Sequence, residues 1–471
     1  MAAWSRRKSL ESVSGAAQEH RLKPTLSWPH LMALGVGAIV GTGIYTLTGI
    51  GAGIAGPAVI ASFALAGAVC ACAALAYAEM ATMMPVAGSA YTYSYAVMGE
   101  LIAWIVGWSL MLEYTVVCGA VSVGWSAYAS GVMVSEHWGV PHALLAGPLD
   151  GGIVNLPAVL ISFAVAGLLV IGTRESATVN FILVLVKLVA LGAFVLLTLP
   201  SFDAAHFTPF APNGTFSLGP DGAKLGIVPA ASLIFFAFYG FDTISTAAEE
   251  AKNPGRDLAI GIVGSMVLCT LIYMVVAAAA IGALPASDLA KSAEPLALAL
   301  RVLNHPVAAN LVATAAIVAL PTVIMVFMYG QSRIFFVMAR DGLLPRSWSA
   351  VSARTGTPVL MTIITGVVAA AIAGFFPLKD IAELANAGTL CAFIAVATSM
   401  MILRLREPAR PRIFRTPLWW LLGPLAILGC LYLFWNLPEI TKWRFLIWNV
   451  FGLAVYVFYA MRHSRLARPG A

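Results

Sequence analysis

Residues Gly35–Gly43 read GVGAIVGTG and lie inside the first long apolar run of the chain, between Leu31–Leu34 and Ile44–Leu47. Four glycines and a threonine within nine residues weaken a helix, because each glycine costs roughly 1 kcal/mol relative to alanine. Both flanks are nevertheless apolar enough for a bilayer. A helix that breaks at membrane depth exposes backbone polar groups that lipid cannot satisfy, so a break is tolerated only where protein or a polar cavity supplies partners. Gly41-Thr42-Gly43 is therefore the first candidate for a wall of a binding site.

Composition places this stretch in a membrane protein. Of 471 residues, 60% are hydrophobic and only 10% charged, against roughly 25% charged in soluble domains. Twelve apolar runs reach the length needed to cross about 30 Å of hydrocarbon. They lie near 28–50, 57–84, 99–134, 153–172, 178–199, 226–247, 258–283, 306–337, 358–376, 381–403, 416–436 and 443–461. The expected fold is an all-α integral membrane protein with 12 transmembrane helices.

Lysine and arginine set the orientation. With the N-terminal tail (1–27) on the cytoplasmic side, twelve spans place 20 of the 27 Lys and Arg there and six outside, leaving Lys187 in the membrane. The cytoplasmic set includes Arg6, Arg7, Lys8, Arg21, Lys23, Arg174, Lys252, Arg256, Arg354 and the basic loop 405–415. Both termini are expected to be cytoplasmic, in a multi-pass protein of the cell membrane. The net charge of +6 is thus a topological bias toward the lipid bilayer and gives no support to nucleic-acid binding. The tail 1–27 carries no signal-peptide core. The six cysteines all fall within apolar runs and read as buried filler.

Five spans (28–199) precede a Pro- and Gly-rich outside loop (200–225), and five more follow (226–404). The second block opens with its own weak helix, Phe235–Phe241 (FFAFYGF), in which Gly240 stands between aromatics. Two blocks that each begin with an interrupted span point to a repeat-built secondary transporter. Five is odd, so the second block enters from the opposite side and the 5+5 repeat is inverted, with its site between spans 1 and 6. Small-xxx-small pairs such as Gly37/Gly41 and Gly49/Gly53 have a simpler reading as helix contacts. Two C-terminal helices (416–461), rich in tryptophan, lie outside the repeat before the tail 462–471 and suit packing or oligomerisation.

Ionisable residues inside spans are functional candidates because burying a charge in a membrane is expensive. Lys187 sits about nine residues from either end of span 5; it is either a structural cation or a lysine that changes protonation during a transport cycle. Glu113 in span 3 can touch substrate, pair with a cation or lock spans together. Asp242, just past Gly240, can hold the second break or gate it. Glu79 lies near the cytoplasmic end of span 2, in a water-facing or ion-paired role. Glu249, Glu250 and Lys252 form a gate or a plain ion-pair cluster at the end of span 6. Asn386 with Thr389, and Thr322 beside Pro321, add polar groups at membrane depth.

Other signals carry no chemistry. Gly51-x-Gly53-x-x-Gly56 matches a dinucleotide fingerprint but follows an apolar span without a βαβ unit. Asn213-Gly-Thr215 is a glycosylation sequon in the outside loop. No Walker motif, zinc spacing, nucleophile elbow or haem signature is present, so no enzyme, ATP-driven pump, metal centre or cofactor is expected. A channel is disfavoured by the lack of a filter-like loop, and a transporter-like receptor by the short tails.

Several longer stretches resemble a known family. GAIVGTGIYTLTG with GAGIAGPAV, GWSLMLEY, FFAFYGFDTISTAAEEAKNPGRDLAIGI, YGQSRIFFVMARDGLLP and ELANAGTLCAF together are similar to the cationic amino acid transporters of the amino acid–polyamine–organocation superfamily. The resemblance implies the inverted five-plus-five helix fold of the sodium-coupled leucine transporters, with two extra helices. It implies that the substrate carboxylate docks on the amides of Thr42 and Gly43, where half-helix N-termini favour an anion. The α-amino group is assigned to carbonyls at Ile39, Val40, Phe236, Ala237 and Tyr239, with Phe236 also the aromatic gate. Glu113 matches the family's acidic residue of span 3. Lys187 matches a span 5 lysine that replaces sodium in proton-coupled members, with Thr322 as the span 8 hydroxyl beside it.

The expected function is proton-coupled symport of an amino acid. The residues of span 8 near the site, Val323, Ile324, Met325, Val326 and Phe327, are apolar, and an unpartnered side-chain charge there would be costly. Small neutral L-amino acids such as alanine are therefore expected. Arginine or lysine transport, to which Glu113 points, and amino acid or polyamine exchange are the alternatives. A single-span accessory protein is a further candidate partner.

Overall fold

A computed structural model describes residues 6–8, 26–85, 88–171, 177–220, 222–246, 248, 251–350, 352 and 358–467. Arg21, Lys23, Arg174 and Arg354, read above as cytoplasmic charges, and Glu249 and Glu250, read as part of a gate or ion-pair cluster, lie outside the described residues.

All twelve apolar runs are helical over most of their length. The first is in pieces: α1 (Trp28–Ile39), α2 (Thr42–Tyr45) and α3 (Leu47–Ala55). The next four are α4 (Val59–Met83), α6 (Glu100–Ser135), α7 (Leu156–Ile171) and α8 (Ala177–Thr198), with a short connector α5 (Ser89–Val97). The sixth is also in pieces: α9 (Ile227–Ile234), a 3₁₀ turn Phe235–Phe238, and α10 (Thr243–Thr246). Then come α11 (Pro254–Ala283), the short α12 (Ala286–Leu289) and α13 (Pro295–Val302), and α14 (Pro306–Arg340). α15 (Val359–Phe375), α16 (Leu378–Arg406), α17 (Trp419–Asn436) and α18 (Glu439–Val455) complete the set. A two-stranded antiparallel ribbon, Ser217–Leu218 with Lys224–Leu225, decorates the central loop.

Among the described residues nine helices are long and apolar enough to cross a membrane, and three further apolar helices, Trp28–Ile39, Leu156–Ile171 and Val359–Phe375, are shorter. α6 and α14, at 36 and 35 residues, run about 54 and 52 Å at 1.5 Å per residue and so extend beyond a 30 Å core.

Packing follows a pattern. α4 packs against α11, α6 against α14, and α7 against α15, so the second, third and fourth runs each meet the one five places later. The cross-contacts come in matching pairs as well. α1 lies on α11 as α9 lies on α4; α1 lies on α8 as α9 lies on α16; α6 lies on α16 as α14 lies on α8. α18 is pinned to α6 by a tryptophan stack. Trp108 lies between Trp104 (5.4 Å) and Trp448 (4.8 Å), and Trp108 and Trp448 each donate an indole N–H to the other's carbonyl. The last helix therefore has a packing role, held by large apolar area and satisfied N–H groups.

Segments expected on one side of the membrane meet in the structure. Lys8 Nζ bonds Asp341 at 2.6 Å, and Tyr91 OH donates to the same carboxylate. Burial lowers the Lys8 pKa, an effect that Asp341 opposes. Buried Glu100 accepts hydrogen bonds from Tyr95, Tyr456 and Ser464, joining the C-terminal end to α6.

Glu79 is ion-paired rather than water-facing. It is buried in α4, where it accepts from Arg404 (2.7 Å) and the Thr416 amide (2.8 Å) and pairs with Arg412 at 3.1 Å. Two spans and the basic loop thus hang on one carboxylate. Removing one partner from a buried ion cluster leaves uncompensated charge and costs about 3–5 kcal/mol. Glu79→Ala is accordingly expected to lower the thermal unfolding temperature of the purified protein clearly; an unchanged melting curve would show that the cluster adds nothing to stability.

Candidate functional site

The two interrupted runs cross at the centre of the molecule. α1 stops at Ile39, Val40 and Gly41 are extended (φ −72° and −146°), and α2 restarts at Thr42. The amides of Ile44 and Tyr45 return to Gly41 O at 3.2 and 3.4 Å. The amides of Thr42 and Gly43 stand in the first turn, where a helix offers no internal acceptor. In the sixth run the 3₁₀ turn ends at Tyr239 (φ −63°, ψ 151°), and Gly240 turns the chain with φ +114°.

Two glycines allow the breaks to approach. A Cβ at Gly43 would lie 2.3 Å from Ala237 Cα, and a Cβ at Gly240 would lie 2.6 Å from Ala38 Cβ. The backbone of each break is thus pressed against the other, which only residues without a side chain permit. Gly35 and Gly37, by contrast, face side chains of Ser265 and Val184 and serve helix packing.

A small cavity of about 10 Å³ lies at this crossing, about the space one water needs. Its lining comprises Ala38, Ile39, Gly41, Thr42 and Gly43 from the first break, Phe236 and Tyr239 from the second, and Val117, Val121, Val323 and Phe327 from α6 and α14. One end therefore offers peptide groups and the rest apolar side chains. The Thr42 hydroxyl is buried without a partner among the described residues, so a polar ligand group has a donor and acceptor to meet there.

Of the residues singled out from sequence, Ile39, Thr42, Gly43, Phe236 and Tyr239 line this space. Val40 and Ala237 belong to the two breaks but not to the lining, Ala237 being the residue against Gly43. Phe236 and Tyr239 rings pack at 5.0 Å. Glu113 is buried on α6 one turn from Val117, where a Cβ at Gly388 would lie 3.1 Å from its own Cβ. Its Oε2 has no hydrogen-bond partner among the described residues. Asp242 sits below the second break and holds it: Oδ1 accepts from the Gly240 amide (3.3 Å) and Oδ2 from Tyr114 OH (3.0 Å).

Lys187 is fully buried and reaches the first break from α8, donating from Nζ to Gly37 O at 2.8 Å. An ammonium near the C-terminal carbonyls of α1 meets their negative partial charge. Tyr273 donates to Ile39 O at 2.7 Å, which leaves that carbonyl one lone pair for another donor. Thr322 Oγ1 donates to Ala319 O, within α14.

Some site residues were not anticipated. Val117 and Val121 follow Glu113 at i+4 and i+8 on α6, a spacing that shares one helix face, so the signal was present once Glu113 was placed. In sequence Asn386 is only a polar group at membrane depth, yet in the structure it does for the second break what Lys187 does for the first. Its Nδ2 donates to Ser232 O and Leu233 O, and its Oδ1 accepts from Tyr239 OH. The flanking sequences explain the parallel: VKLVALGAF (186–194) and ANAGTLCAF (385–393) align Lys187 with Asn386 and end alike.

Comparison with known proteins gives the family. The amino acid permease family profile matches residues 26–460. The branched-chain amino acid permease BcaP of Bacillus subtilis (strain 168) is 41% identical over 466 residues, covering 98% of each chain. The methylthioribose transporter of the same organism is 36% identical over 464 residues, again 98% of each. Cationic amino acid transporter 2, vacuolar, of Arabidopsis thaliana is 38% identical over 407 residues, 86% of this chain and 63% of that one. The chain therefore belongs to the amino acid permease family of the amino acid–polyamine–organocation superfamily.

Proposed function

We propose that this chain is a proton-coupled symporter of small neutral L-amino acids, alanine foremost, in the cell membrane, with twelve spans, an inverted 5+5 repeat and both termini cytoplasmic. The matched contacts between runs five places apart support the repeat. The observation that carries the substrate reading is the cavity at the two breaks, which joins the first-turn amides of Thr42 and Gly43 to walls of Val117, Val121, Val323 and Phe327. A carboxylate suits those amides, and an apolar side chain suits the valines. Phe236 closes the space, and Lys187 at Gly37 O is the group assigned to the proton. Asp242 acts as a brace for the second break.

A second reading has its own support: the relative with 41% identity is a branched-chain amino acid permease, and a pocket edged by valines accepts a larger aliphatic side chain once Phe236 moves. Cationic substrates fit less well, because among the described residues Glu113 does not line the cavity. Uptake of labelled alanine into proteoliposomes, driven by an imposed pH gradient and challenged with valine, leucine, isoleucine or arginine, separates these readings. Alanine uptake resistant to arginine is expected. Strong competition by arginine would overturn the neutral-substrate reading, and uptake that needs internal amino acid but no pH gradient would identify an exchanger.

A further inference from the structure

A second and much larger space, a groove of about 640 Å³, opens on the flank of α11 against α4 and the basic loop. This size falls within the range of small-molecule sites, roughly 300–1,000 Å³. Its floor is hollowed by Gly255, Ala259 and Gly264 of α11, and Ile413, Phe414 and Pro417 form the opposite wall. Among the described residues the single charged lining residue is Arg256, at the first turn of α11.

Three observations define what fits. First, the groove continues into a stripe on α11, Val263, Val267, Leu271 and Val275, spaced four apart along the helix; the last three are exposed apolar side chains. Second, Ile413 lies in a loop of arginines and is 74% exposed, a poor situation in water and a good one at the edge of hydrocarbon. Third, the cations divide into two groups. Arg412 is buried on Glu79, whereas Lys252, Arg256 and Arg415 are exposed and, among the described residues, form no ion pair.

We propose that this groove binds an anionic glycerophospholipid, with its phosphate at Arg256 and an acyl chain lying through the groove onto the Val267–Val275 stripe. Basic pockets between membrane helices attract anionic headgroups, each Lys or Arg adding about 1 kcal/mol near a membrane surface. The bound lipid would bridge α11 to the loop anchored by Glu79. The site is separate from the substrate cavity, and the proposal does not depend on which amino acid is carried.

The test uses the full-length protein in detergent, titrated with dioleoylphosphatidylglycerol or dioleoylphosphatidylcholine, with bound lipid counted by native mass spectrometry. The anionic lipid is expected to bind about tenfold more tightly, a ratio equivalent to about 1.4 kcal/mol. Arg256→Gln should bring the two lipids to near parity without changing the melting temperature in lipid-free detergent. Gly264→Leu should reduce retention of both lipids, since a Cβ there meets nothing closer than Met32 at 3.6 Å and the longer side chain would fill the groove. Equal binding of the two lipids by the unmodified protein, or an unchanged preference in Arg256→Gln, would overturn the proposal. Displacement of the anionic lipid by excess inorganic phosphate would overturn it in favour of a bare anion site.

Discussion

Lys187→Ala is expected to reduce pH-gradient-driven uptake in proteoliposomes by roughly tenfold or more, equivalent to a loss of about 1.4 kcal/mol or above, and to flatten what uptake remains against pH. Lys187 Nζ is fully buried and donates to Gly37 O at 2.8 Å, three residues before the backbone leaves the helix at Val40. Whatever changes the charge on that nitrogen changes the field and the hydrogen bonding of the last turn of α1, and that turn leads directly into Gly41-Thr42-Gly43. Lys187→Arg supplies the complementary test. A guanidinium does not release its proton in proteins, so this variant is expected to bind substrate but not to turn over. An intact pH profile in Lys187→Ala would remove the lysine from the coupling mechanism and leave it a structural anchor, as Asn386 is for the second break.

Gly43→Ala is expected to reduce uptake by about two orders of magnitude, the loss associated with displacing binding groups by about 1 Å. The added Cβ would meet Ala237 Cα at 2.3 Å and Ala237 Cβ at 2.4 Å. Because the clash involves backbone, the breaks must separate, and the amides of Thr42 and Gly43 move away from Phe236 and Tyr239. Overpacking of this kind also costs about 1–3 kcal/mol, so the melting temperature should fall. Gly41→Ala is the internal control. Its φ of −146° is open to any residue, and a Cβ there meets Val323 at an ordinary 3.6 Å, so its melting temperature should match that of the unmodified protein. Equal damage from the two substitutions, or full activity in Gly43→Ala, would contradict the close-approach argument.

The contrast between Gly41 and Gly43 marks a limit of what can be read without a structure. Both stand in one motif and both look like helix breakers, but one is extended backbone beside an open wall and the other is a contact surface. The same limit applies to Glu113, which is conspicuous in sequence as a carboxylate at membrane depth. It proves to lie one turn beyond the lining, while the valines that follow it face the cavity. Glu79 had two readings in sequence, and Arg404 and Arg412, more than three hundred residues away, decide between them.

The sequence by itself determined where the helices run, where two of them break, and which ionisable groups are buried within the apolar runs. It could do so because a bilayer imposes a local rule: apolar length makes a span, and a glycine cluster within it must find partners elsewhere. Tertiary structure decided what each break faces: Gly43 against Ala237, Gly240 against Ala38, Lys187 on Gly37 and Asn386 on Ser232 and Leu233. Those contacts join residues some 150 to 200 positions apart, and their distances are set by how whole helices pack, which no local pattern encodes.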